Sequence, residues 1–174
     1  MDELRERLAQ GDAAAFAELY DACADKLHHY LAVRLGSRDA ADDVLQETFV
    51  RLVRTRHRLR RVENLTAYVF TMARNEATRH GGREARAARL KVPLRAEDLY
   101  ACAEDLAARD AAETVASALT GLSPEQREVV ELKMYGGLTF REIADVTGVP
   151  LPTAATRYRA ALDRLREWLA RQPS

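Results

Sequence analysis

The chain predicts an all-α protein of two small helical domains joined by a flexible linker, the C-terminal one carrying a helix-turn-helix. Three observations lead there. Ala, Leu, Arg and Glu dominate, β-branched runs are few, and apolar residues recur at helical rather than alternating spacing. The stretch KVPLRAEDLYACAED, Lys91 to Asp105, contains a proline, loses that period and turns acidic. Finally, LTFREIADVTGVPLPTAATRYRAALDRLREW at 138–168 reads as two helices around a tight turn, the second with an arginine-rich outer face. The expected division is 1–92, a linker at 93–105, and 106–174; an apolar fraction of 47% suffices for packed cores.

In the first domain Phe16, Leu19, Tyr20, Cys23, Leu27 and Leu31 form one helical stripe. Ser37 caps a second helix with the stripe Ala41, Val44, Leu45, Phe49, Leu52 and Val53. Asn64 caps a third, with Leu65, Tyr68, Val69, Met72 and Ala73 inward, until Gly81-Gly82 weakens or ends it. The second domain begins near Leu106, passes Val115, Leu119 and Leu122, and restarts at Ser123-Pro124-Glu125-Gln126, a cap followed by proline in the first turn. Thr139 caps the next helix, and Glu142 completes a capping box. Ile143, Ala144 and Val146 give that helix its apolar side, Gly148 lets the chain leave through positive φ, and Pro150 prevents continuation. The last helix starts at about Pro152 or Thr153, with Ala154, Tyr158, Leu162 or Ala161, Leu165 and Leu169 facing the core. Thr153, Ala155, Thr156, Arg157, Arg159, Arg164 and Arg166 are left for other faces. Arginine there can grip phosphate oxygens or the paired acceptors of guanine, which suits duplex DNA.

The formal net charge is zero, but it is unevenly spread: +3 over 1–92, −4 over 93–114 and +1 over 115–174. RLVRTRHRLRR at 51–61 holds six arginines and no acid. Weak overall attraction with local basic patches predicts a protein that binds DNA well only with help. No apolar run is long enough to span a bilayer and the N-terminus is charged, so no membrane insertion and a cytoplasmic location are expected. Cys23 and Cys102 lie far apart and read as buried small hydrophobes, while His28, His29, His57 and His80 lack ligand spacing and read as surface residues. With no phosphate loop, metal cluster or evident carboxylate pair, no metal, no cofactor and no catalytic residue is expected.

In ADDVLQETFVRL, Asp42, Asp43, Gln46 and Glu47 pair at i, i+4 and form an acidic ridge opposite the apolar stripe. On pattern alone the ridge reads as a solvated face. The surrounding sequence gives it a partner: ADDVLQETFVRL, then NLTAYVFTMARNEATRH, and later LSPEQREVVELKMYGGLTFREIADVTGVPLPTAATRYRAALDRLRE, resemble bacterial RNA polymerase sigma factors of the extracytoplasmic-function group, in order and over nearly the whole chain. The resemblance implies that Asp42, Asp43, Gln46 and Glu47 dock on the clamp coiled coil of core RNA polymerase. It implies that the following helix meets the start-proximal promoter element, with Asn64, Tyr68, Phe70, Arg74, Asn75, Arg79 and Arg83 as candidates. Tyr68 belongs to the core stripe, so Phe70, off that stripe, is the better ring for stacking on an extruded base. The helix-turn-helix is assigned to the upstream promoter element through Thr139, Thr153, Ala155, Thr156, Arg157 and Arg159. An anti-sigma factor is a further family expectation. The rival reading is a stand-alone helix-turn-helix regulator that dimerises through its N-terminal helices and needs no polymerase; the acidic ridge discriminates between the two.

Overall fold

The fold is that of a computed structural model, which describes residues 2–87 and 118–171. All regular structure in those residues is helical. Helix α1 (Asp2–Gln10) precedes α2 (Ala13–Leu35), α3 (Arg38–Arg54), a 3-10 segment (Arg56–Arg61) and α4 (Leu65–Ala87). After helical residues at 118–120 come α5 (Pro124–Met134), α6 (Phe140–Thr147) and α7 (Leu151–Ala170).

Local chemistry sets most of these boundaries. Asp12 accepts hydrogen bonds from the Ala14 and Ala15 N–H groups at the start of α2, and Gly36 closes that helix at φ 66°. The Ser37 hydroxyl accepts from the Ala40 N–H, and the Asn64 carboxamide oxygen accepts from the Ala67 N–H at 3.0 Å, so both caps form as expected. Complete capping boxes open α5 at Ser123 and Gln126, and α6 at Thr139 and Glu142. Gly148 ends α6 at φ 71°, the left-handed conformation that glycine enters without steric penalty.

Three features depart from the sequence pattern. Helix α4 runs straight through Gly81-Gly82 instead of ending there; glycine has ordinary access to the α region, and its lower propensity does not by itself terminate a helix. Tyr20, Val53 and Leu169 stand exposed, because α2, α3 and α7 bury narrower stripes than their apolar residues would allow. Helix α1 and the 3-10 segment, which carry little apolar periodicity, are tied together by Arg60 donating to Glu6 at 2.7 and 3.0 Å and by Arg5 donating to the Val62 carbonyl. The linker expected at 93–105, the helix start near Leu106, and Cys102 fall outside the described residues.

Helices α2, α3 and α4 pack on one another, α5, α6 and α7 do likewise, and the apolar core is continuous between the two groups. Leu27, Leu31, Val69 and Phe70 from the first join Val129, Leu132, Leu138 and Ile143 from the second. Helix α2 meets α5, and α4 meets α6. Burial of these side chains from both groups in one core contributes roughly 1.5–3 kcal/mol per large residue. A smaller cluster, Leu119, Leu122, Val130 and Ala161, holds α5 to α7. Cys23 is buried, and burial pushes its thiol up to about 11. His29 and His57 are exposed as expected, but His28 and His80 are half-buried: His28 reaches Asp42 at 3.2 Å, and His80 lines a cleft with Glu76 between α3 and α4. Among the described residues no helix is long and apolar enough to cross a membrane, and no group of three or more His, Cys, Asp or Glu could hold a metal ion.

Candidate functional site

Helix α3 buries Ala41, Val44, Leu45, Thr48 and Leu52, and this registers Asp42, Asp43, Gln46 and Glu47 on its exposed side. The ridge is therefore continuous and accessible. Beside it lies an apolar trough of about 650 Å³, lined by Phe16, Tyr20, Leu45, Phe49 and Val53, with Asp42 and Gln46 on its edge. Tyr20 and Phe49 meet edge-on at 4.9 Å. Sequence reasoning placed these rings in the core; the excess of apolar residues over a single helical stripe was the signal that some of them face outward. An acidic ridge with Asp42 at the edge of a trough holding exposed Tyr20 and half-buried Phe16 and Phe49 suits a basic helical partner, since the rings supply buried contact and the acids orientation.

Helix α3 is coupled to α4 through Glu76, which is buried and receives Arg51 from α3 and Arg79 from α4, the latter at 2.8 Å. Arg79 is thus half-held by its own helix while remaining half-exposed. Asn75 is exposed. Asn64 spends its carboxamide oxygen on the α4 cap and donates its N–H to Glu142 of α6 at 3.4 Å. Arg74 makes a two-pronged pair with Glu128 of α5, Nε at 2.7 Å and Nη2 at 3.1 Å, which holds its guanidinium above the usual range despite partial burial. Arg83 lies in α4, but its side chain is outside the described residues.

Phe70 requires a correction. It is 0% exposed, tilted against Tyr30 at 5.6 Å between centroids and facing Gly136, so in this arrangement it is a core ring and not an available stacking platform. Tyr68, assigned to the core, is half-buried and packs at the edge of that core. The stripe of α4 alone could not show this, because the residues that cover Phe70 come from α2 and from the turn after α5.

At the C-terminal end, Ala154 and Ala161 are the buried residues of α7 and fix its rotation. Thr156 and Arg159 are then exposed, and Thr153, Ala155 and Arg157 half-buried. Arg157 lies within electrostatic reach of Glu125, whose carboxyl is held below its usual range chiefly by its backbone and Ser123 hydrogen bonds. Thr139 is exposed but engaged: its N–H and hydroxyl both donate to Glu142, at 2.8 and 2.7 Å. Burial pushes the Glu142 carboxyl up, but these bonds and the one from Asn64 outweigh it and leave the group below its ordinary value.

Residues 19–87 match the Sigma-70 region 2 family model, and residues 112–165 the Sigma-70 region 4 model. The chain is 32% identical over 160 residues to the ECF RNA polymerase sigma factor BldN of Streptomyces coelicolor, covering 85% of this chain and 58% of that one. It is 29% identical over 174 residues to the ECF RNA polymerase sigma factor SigK of Mycobacterium tuberculosis, covering 97% and 93%. Among solved structures, CnrH in complex with the cytosolic domain of CnrY superposes with a TM-score of 0.71 at 24% identity, over 99% of this chain and 98% of that one, a likeness of fold. The sigma factor RpoE in complex with the anti-sigma factor NepR from Bartonella quintana superposes at 0.58 with 25% identity, over 84% and 91%. Two matched regions in family order, on the helices whose geometry has just been described, identify the chain as a member of the sigma-70 family of transcription initiation factors, in its extracytoplasmic-function group.

Proposed function

We propose that this protein divides its work as a sigma factor between two surfaces: the carboxylate ridge of α3 fastens it to core RNA polymerase, and cations of α4 and α7 address promoter DNA. The single observation that carries this reading is the ridge itself. Asp42, Asp43, Gln46 and Glu47 all face outward, and Asp42 and Gln46 edge an apolar trough that exposes the Tyr20 ring, which a solvated helix face does not need and a polymerase-docking face does. The start-proximal element falls to Asn64, Arg74, Asn75, Arg79 and Arg83, and the upstream element to Thr139, Thr153, Ala155, Thr156, Arg157 and Arg159. Phe70 joins neither set in the arrangement described.

The protein supplies no catalytic group of its own in this reading; the polymerase carries the chemistry, and the site of action is the cytoplasm. Two weak DNA contacts held on one polymerase gain effective concentration, so neither needs high affinity alone, in keeping with a net charge of zero. The solved relatives named above were captured with CnrY and NepR, and an anti-sigma protein is the corresponding partner proposed here. The test is reconstitution with core polymerase on a promoter library, reading transcript starts. The reading predicts starts behind a shared pair of sequence elements that depend on this protein; tight operator binding without polymerase, and no dependent starts, would support the stand-alone regulator instead.

A further inference from the structure

Glu76 of α4 is a buried carboxylate that serves two cations. Its Oε1 accepts from Nη1 of Arg51, which belongs to α3, and from Nη1 of Arg79, three residues further along α4, at 2.8 Å. The acid's side chain is 6% exposed, whereas those of Arg51 and Arg79 are 41% and 48% exposed. A brace between helices needs only the first pair. Arg79 lies on the same helix as Glu76, so its pairing joins no further element. Two guanidinium groups against one carboxylate also leave the cluster a surplus positive charge at the surface.

We propose that Glu76 is a positioning residue for promoter engagement: anchored by Arg51, it holds Arg79 with the Nε–Nη2 edge presented to a backbone phosphate of the start-proximal element. The inference deepens the sigma reading above and rests on it. Arginine is a long side chain with many rotamers, and the freedom it loses on meeting DNA weakens the contact; holding it in place beforehand removes much of that cost. An arginine grips phosphate best through two parallel N–H groups on one edge. Glu76 takes Nη1, and the Nε–Nη2 edge has that fork geometry. Arg79 and exposed Asn75 stand four residues apart and so share one face of α4.

An exposed pair of charges on a lone helix is too loose for such a role. Glu76 differs because burial and the bond from Arg51 fix it independently of Arg79. Charge alone predicts the opposite of positioning. Removing an acid near DNA makes the surface more positive and should tighten binding; removing an acid that holds an arginine in place should loosen it.

The experiment uses the full chain assembled with core polymerase, on a promoter recovered by the reconstitution above, with affinity measured over a range of salt. Glu76→Gln is expected to weaken promoter binding by about threefold or more, although it removes a negative charge. It should also flatten the slope of log affinity against log salt by about 0.7, the loss of one phosphate contact on a single strand. Arg79→Gln shows the same flattening, and adding Glu76→Gln to it costs nothing further. Arg51→Met leaves Glu76 its partner on α4, and is expected to weaken binding in the same Arg79-dependent way. Circular dichroism and affinity for core polymerase stay at the parent values in Glu76→Gln and Arg51→Met. Promoter binding unchanged or tightened in Glu76→Gln overturns the proposal. So does a loss that persists undiminished in the Arg79→Gln background, or one accompanied by lost affinity for core polymerase, since either makes Glu76 a brace and nothing more. Where Glu76→Gln does not fold, Arg51→Met decides, and promoter binding at the parent value overturns the proposal. An unsubstituted protein that starts no transcript defeats the sigma reading and this proposal together, a result distinct from a working parent with indifferent variants.

Discussion

Glu131 carries a buried carboxylate that accepts a hydrogen bond from Arg34. Burial pushes its pKa up more strongly than Arg34 pulls it down. The native form therefore takes up this proton more readily than the unfolded chain, and the stabilisation is full below the ordinary carboxylate range and lost as pH rises through the elevated value. At neutral pH the charge is a liability. Glu131→Gln is expected to raise the melting midpoint at pH 7, with the advantage over the parent shrinking towards pH 4; calorimetry at the two pH values checks it, and an unchanged gap contradicts it. Thr139 tests the opposite kind of residue, one whose contribution to stability is local. Thr139→Ala removes the hydroxyl half of the α6 capping box, a loss of about 1 kcal/mol, and should lower the midpoint by roughly 2–4 °C. Caps of this type were legible in the sequence at Ser37, Asn64, Ser123 and Thr139, because cap and partner lie within four residues. The engagement of Arg74 and the burial of Phe70 were not, since their partners are forty or more residues away.

Helix α4 shows where local rules stop. Gly81 and Gly82 read as a break, yet the helix passes through them, and a β-carbon built on either would meet nothing within 4 Å. Gly81→Ala and Gly82→Ala should each favour the helix by about 0.5–1 kcal/mol. Higher ellipticity at 222 nm and a raised melting midpoint check this; a loss of helicity would mean that the glycines are needed for another conformation. The same element carries Arg79 against buried Glu76, and Glu76 also receives Arg51 from α3. The helix proposed for polymerase and the helix proposed for DNA are thus braced by one acid. Helical periodicity gave both helices and the outward ridge, but it assigned Tyr20 and Val53 to the core, because period alone cannot say how wide a stripe the neighbouring helices cover.

At the scale of the molecule, fold class and functional family were legible from helical spacing and from motif order, and the contact between the two helical groups was not. Contacts between distant segments depend on shape and charge that no local window contains, and residues 34, 74, 128 and 131 share no motif. A zero net charge also has a consequence for binding: DNA affinity of the free protein should be weak and should fall steeply with salt, as expected when a few arginines supply the attraction. Affinity that is instead strong and insensitive to salt would speak against a division of labour with polymerase. The central claim is that the carboxylates of α3 fasten this protein to that enzyme. Its most direct test is the affinity of Asp43→Lys, Glu47→Lys protein for core RNA polymerase, measured by fluorescence anisotropy beside the parent, with circular dichroism confirming the fold. The account predicts a loss of about tenfold or more, equal to about 1.4 kcal/mol per decade; an affinity unchanged by reversing both charges would contradict it.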